Sequence, residues 1–151
     1  MAGFPHLRSP NSDLRSMKVL ILDDQEPVGE IVSRVVQQGG WEAAHLTSAK
    51  NIAEIIQREG FEVFITDYQL GPDSGPGVNG LTVVADVRSK GIKIPVIMLT
   101  GFPKAVDKEL AGQLGVFRIL AKPLSIQELR LSLVEAKRQI HEEPSREPSS
   151  Q

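Results

Sequence analysis

Apolar residues in this chain fall into two alternating rhythms. Short runs, KVLIL at Lys18–Leu22, FEVFIT at 61–66, PVIMLT at 95–100 and VFRIL at 116–120, read as strands, with WEAAHL at 41–46 as a weaker one. Val63-Phe64-Ile65 does not alternate apolar with polar residues, so its strand should be buried on both faces. Between the runs the spacing changes to that of helices. Val28, Ile31, Val32, Val35 and Val36 share one helical face ahead of Gly39-Gly40, and Ile52, Ile55 and Ile56 share another that ends at Gly60. A third helix is predicted from Asn79-Gly80 to Gly91, a fourth around Val106 and Leu110, and a fifth carrying Ile126, Leu129, Leu133, Ala136 and Ile140. Five strand–helix repeats with short connections predict an α/β fold: a doubly wound parallel sheet with right-handed crossovers and helices on both faces.

In such a sheet the carboxyl ends of the strands share one edge, where ligands bind. Reading off those ends gives Asp23-Asp24 after the first strand, Asp67 after the third, Thr100 after the fourth and Lys122 after the fifth. Taken singly, each has an ordinary explanation: a helix start, turn chemistry, a cap, a surface charge. Taken together, three carboxylates, a hydroxyl and an amine at four ends of one edge are hard to ascribe to chance. Carboxylates so crowded raise one another's pKa unless a cation sits among them. Oxygen ligands few in number on short loops suit Mg²⁺, which keeps several waters, better than Ca²⁺. A magnesium ion held this way commonly takes a phosphate as a further ligand. Thr100 and Lys122 would then bind phosphoryl oxygens while an aspartate attacks phosphorus and becomes an acyl phosphate.

Composition narrows the alternatives. The 151 residues suffice for one domain with its own core, and the absence of cysteine excludes disulfides, Cys-ligated metals and thiol catalysis. Apolar runs are short and the N-terminus lacks the apolar stretch of a signal peptide, so a soluble, cytoplasmic protein is expected. Seventeen basic against nineteen acidic residues, a formal charge of −2, with no basic tract, argue against direct nucleic-acid binding. Residues 1–16 and the Pro/Ser/Glu-rich 142–151 are expected to be mobile extensions of a folded domain at 17–141.

The segments LILDDQEP, FITDYQL, VIMLTG and ILAKP, in this order and spacing, resemble the receiver domain of two-component response regulators. The resemblance spans roughly residues 18–140 and implies a flavodoxin-like sheet in strand order 2-1-3-4-5. It implies Asp67 as phosphoacceptor, with Asp23 and Asp24 holding Mg²⁺, Asp24 the more directly, and the backbone carbonyl of Gln69 completing the metal site. Thr100 would be the switch hydroxyl, Lys122 the phosphate-binding lysine and Lys122-Pro123 a cis peptide. The phosphoryl donor would be a histidine kinase or a phosphotransfer protein. Output would pass through protein contacts or onward phosphotransfer, because only about ten residues follow the last predicted helix, although the Pro/Ser-rich tail would also suit a linker. The kinase, input, target and any weak homodimer stay open.

Two features depart from that family. Ile119 stands where an aromatic ring is common, three residues before Lys122; Phe117, by strand alternation, should point to the same face. The loop GPDSGPGVNG after Leu70 is several residues longer than usual, either as a passive insertion or as a lid or partner-recognition element. Two other functions compete. A haloacid-dehalogenase-type phosphatase shares the Asp, Mg²⁺, Thr and Lys but needs an acid two residues after its nucleophile, where this chain has Gln69. A receiver that is never phosphorylated would act as a binding module, against which the intact Asp23, Asp24, Asp67, Thr100 and Lys122 argue.

Overall fold

The computed structural model describes residues 16–146. Five parallel strands, β1 (Lys18–Leu22), β2 (Glu42–Leu46), β3 (Val63–Asp67), β4 (Val96–Thr100) and β5 (Val116–Ala121), form one sheet in the order β2-β1-β3-β4-β5. Five α-helices connect and cover them: α1 (Glu26–Gln38), α2 (Ile52–Glu59), α3 (Gly80–Ser89), α4 (Lys108–Gln113) and α5 (Ile126–Arg146). Within β1, β3 and β4, successive side chains enter opposite cores. Leu20, Leu22, Phe64, Val96 and Met98 pack with α2, α3 and Ala111 of α4. Val19, Ile21, Val63, Ile65, Ile97 and Leu99 pack instead with Val32, Val35 and Val36 of α1 and with Leu129, Leu133 and Ala136 of α5. This two-sided burial explains why β3 and β4 carry apolar residues without alternation. Strand β2, at the edge, is half-buried, and its sequence is correspondingly weaker.

Helix starts follow local chemistry. Asn79 caps α3 reciprocally, its Oδ1 accepting from the Thr82 backbone N–H at 3.0 Å while the Thr82 hydroxyl accepts from the Asn79 N–H at 3.2 Å. The predicted fourth helix around Val106 and Leu110 is shorter than that spacing suggested. Asp107 is its N-cap, accepting from the Leu110 N–H at 3.0 Å, and Val106 lies outside the helix, in extended backbone after a 3-10 turn at Pro103–Ala105. Helix α5 continues to Arg146, into the stretch expected as a tail; residues 1–15 and 147–151 lie outside the described residues. Among the described residues no helix is long and apolar enough to cross a membrane.

The expected placement of Phe117 is overturned. Val96 pairs with Val116 but Ile97 pairs with Arg118, so Phe117 is an extra residue in β5. The bulge breaks the alternation: Ile119 packs in the α2–α3–α4 core, and Phe117 packs on the α1–α5 side. There the Arg118 guanidinium lies over its ring, 4.5 Å from the centroid, and pairs with Glu135 of α5 at 2.6 Å. Phe117 therefore does not stand in for the missing ring at position 119.

Gly80, the first residue of α3, donates its N–H to the Tyr68 carbonyl at 2.8 Å. A Cβ there would lie 2.6 Å from the backbone oxygen of Asp67. Because the obstacle is backbone, Gly80→Ala should force the end of β3 and the start of α3 apart and destabilise the protein by about 2 kcal/mol, as overpacking does. Urea unfolding would measure this; an unchanged midpoint would mean that the helix start yields freely.

Candidate functional site

The strand order brings the ends of β1, β3, β4 and β5 to one edge, and with them the residues singled out from the sequence. Asp23 and Asp67 are buried whereas Asp24 is exposed, and carboxylate oxygens of all three lie within 4.8 Å of one another. Lys122 reaches between them from the end of β5: its Nζ is 3.4 Å from Asp23 Oδ2 and 3.3 Å from Asp67 Oδ1. Asp67 Oδ1 is fully buried, and the Lys122 ammonium is the one cation beside it among the described residues. The peptide between Lys122 and Pro123 is cis, and the Lys122 N–H donates to the Thr100 carbonyl at 2.7 Å, tying the ends of β4 and β5 together.

Asp23 is held on every side. Its backbone N–H donates to the Leu46 carbonyl at 3.1 Å, its Oδ1 accepts from the Gln25 N–H at 2.9 Å, and its carbonyl oxygen lies 2.8 Å from His45 Nε2. Gly71 packs against Asp24, where a Cβ would fall 2.5 Å from Oδ2, so the long loop leaves the sheet directly beside the acidic pair. That loop contains a 3-10 turn at Pro72–Ser74 before it reaches the Asn79 cap. Thr100 is buried and does not contact the carboxylates. Its hydroxyl donates to Gln69 Oε1 at 3.3 Å and accepts from the Phe102 N–H at 3.0 Å. Asp24, Asp67, Gln69, Gly71, Phe102 and Lys122 line an open cavity of about 400 Å³ over this edge, with Phe102 67% exposed at its rim.

The electrostatics follow from this crowding. Burial, reinforced by the neighbouring charge of Asp23 and opposed by Lys122, raises the Asp67 carboxyl from 3.8 to about 6, with Asp24 adding to the rise. One lysine thus pairs with two of the three clustered carboxylates. The all-oxygen donor set, its compactness and the excess of carboxylates over the one ammonium fit a hard cation coordinated from the open side. Four of the residues read from the strand ends, Asp23, Asp24, Asp67 and Lys122, meet here, and Thr100 joins them through Gln69. Sequence reasoning did not find His45, Gly71 or Phe102. His45 had one available signal, its position one residue before the end of β2, at the same sheet edge.

Residues 19–134 match the family model described as the response regulator receiver domain. Solved structures similar to this chain include the receiver domain of the Francisella response regulator 1452, at 22% identity over 83% of this chain and 99% of that one, with a TM-score of 0.72. A signal receiver domain of an HD domain-containing protein from Pseudomonas fluorescens is 24% identical over 87% of this chain and 94% of that one, with a TM-score of 0.75. The chemotaxis response regulator CheY4 of Vibrio cholerae is 25% identical over 81% of this chain and 99% of that one, with a TM-score of 0.68. A family match over so much of the folded region, on a sheet of the expected strand order with three carboxylates and a lysine gathered at its carboxyl edge, establishes that the chain belongs to the response regulator receiver domain family of two-component systems.

Proposed function

We propose that this receiver is switched by phosphorylation of Asp67, with a histidine kinase or a histidine phosphotransfer protein as donor. The observation that carries the proposal is the Asp67 carboxylate: it lines the open cavity, clustered with two other carboxylates and 3.3 Å from the Lys122 ammonium. A carboxylate so placed keeps a lone pair available for phosphorus on the cavity side. In the transfer the Asp67 oxygen forms a P–O bond as the donor's P–N bond breaks, and the departing imidazole nitrogen retains the bonding pair. Lys122 Nζ, already within 3.4 Å of two carboxylates, is placed to neutralise charge gathering on the phosphoryl oxygens. A magnesium ion held by Asp24, Asp23, Asp67 and the Gln69 carbonyl would supply the remaining positive charge. Thr100 would act as the switch hydroxyl: its O–H, now donating to Gln69 Oε1, can turn to a phosphoryl oxygen and release the Gln69 side chain.

Phosphomonoester turnover is not expected. Position 69 is a glutamine whose side-chain oxygen accepts a hydrogen bond from Thr100, so nothing there can protonate a leaving alkoxide. Output is proposed to pass through protein contacts.

Intact mass after incubation with acetyl phosphate tests the proposal. With Mg²⁺ the protein should gain the mass of one phosphoryl group, with a chelator it should gain none, and Asp67→Asn should stay unmodified in both. Undiminished labelling of Asp67→Asn would move the acceptor elsewhere and overturn the assignment.

A further inference from the structure

The short acidic turn between β1 and α1 is clamped from an unexpected direction. The His45 ring, on the edge strand β2, lies on the α1 side of the sheet directly over Gly29, the fourth residue of that helix. A Cβ at position 29 would fall 2.0 Å from Cε1, 2.2 Å from Nε2 and 2.3 Å from Nδ1 of the ring. Glycine in a helix interior is destabilising relative to alanine, and here it leaves the space that the imidazole fills. From that seat Nε2 lies 2.8 Å from the Asp23 carbonyl oxygen. A carbonyl can only accept, so Nε2 carries the proton and donates.

We infer that His45 is a positioning residue for the metal-binding acidic pair: seated on Gly29, it holds the Asp23 peptide so that Asp23 and Asp24 face Asp67. The inference rests on the metal reading proposed above. His45 touches none of the reacting groups. It acts through the backbone of Asp23, whose N–H and Oδ1 are fixed by Leu46 and Gln25 respectively, leaving the carbonyl as the point at which the Asp23-Asp24 peptide could otherwise turn. Hydrogen bonds that orient metal ligands in this manner typically contribute 10- to 100-fold to affinity.

The test is Mg²⁺ affinity, measured by isothermal titration calorimetry on the full chain, alongside the metal-free melting temperature. His45→Phe keeps a ring over Gly29 but cannot donate, and should weaken Mg²⁺ binding by about 10-fold. His45→Gln, whose amide N–H can replace Nε2–H, should stay within about 3-fold of the parent. Gly29→Ala leaves His45 in the sequence but takes its seat, and should weaken binding as His45→Phe does. A purely structural role would lower the metal-free melting temperature and leave the affinity alone, so unchanged affinity in folded His45→Phe or in Gly29→Ala overturns the inference. Should His45→Phe fail to fold, Gly29→Ala and His45→Gln decide the matter by the same criterion. Failure of the parent protein itself to bind Mg²⁺, with Asp24→Asn as the reference for no site, would overturn the metal reading and this inference together.

Discussion

Without metal, Asp67→Asn should be more stable than the parent protein by about 3 kcal/mol at pH 7 and no more stable below pH 4. The sign comes from linkage. The folded protein holds the Asp67 carboxyl at about 6 against 3.8 for the free group, so between those values the native state binds a proton that the unfolded chain has lost. Stability therefore falls as pH rises from about 4 to about 6, and the penalty is fully present above that window. At about 1.4 kcal/mol per pH unit, the interval of roughly two units gives about 3 kcal/mol. Asparagine occupies the same volume with no charge to desolvate, so its advantage should grow across the same window and then level off. Urea unfolding from pH 4 to pH 8 in chelator, parent against variant, measures it. A difference independent of pH would mean that burial of the side chain, and not its charge, sets the cost. Saturating Mg²⁺ should abolish or reverse the difference, because a cation bound to the native state alone favours the carboxylate.

The same crowding explains why the site was legible in the sequence while much of its surroundings was not. Val63-Phe64-Ile65-Thr66-Asp67 announced a strand buried on both faces, and it lies at the sheet centre with both neighbours paired. Once parallel topology was inferred from the strand–helix alternation, the meeting of Asp23, Asp24, Asp67 and Lys122, with Thr100 beside them, followed, because a parallel sheet collects strand ends on one edge. What escaped depends on pairing that no local pattern records. The bulge at Phe117 is set by how β5 registers against β4, and a single extra residue sends the ring to the opposite core. Val106 is buried like a helical residue yet precedes α4, because Pro103 and Asp107 decide where turns start and stop and burial does not. The His45 contact is made to a backbone carbonyl, which every residue possesses, so composition carries no sign of it. Beyond the place of His45 near the end of β2, the glycine opposite it in α1 hinted that something must approach that helix closely.

Lys122→Met should carry the opposite sign from Asp67→Asn. In the metal-free protein at pH 7 it should cost about 3 kcal/mol, near the lower end of the range for removing one partner of a buried ion pair. Lys122 Nζ is the cation within 3.4 Å of both Asp23 and Asp67, and methionine keeps most of the stem's volume while deleting the charge. The cost is bounded because Asp67, released from the lowering influence of Lys122, can take up a proton and escape part of the repulsion. Two consequences separate this account from simple loss of packing. The destabilisation should shrink as pH falls from 7 toward 4, where a neutral Asp67 needs no counter-charge. It should also shrink in the Asp67→Asn background, so that the double variant is more stable than the sum of the single effects by about 1–3 kcal/mol, the coupling expected of residues in direct contact. Urea unfolding of the four proteins at both pH values closes the cycle. Equal losses at pH 4 and pH 7, with additive effects, would mean that the lysine stem and not its ammonium holds this edge of the sheet together.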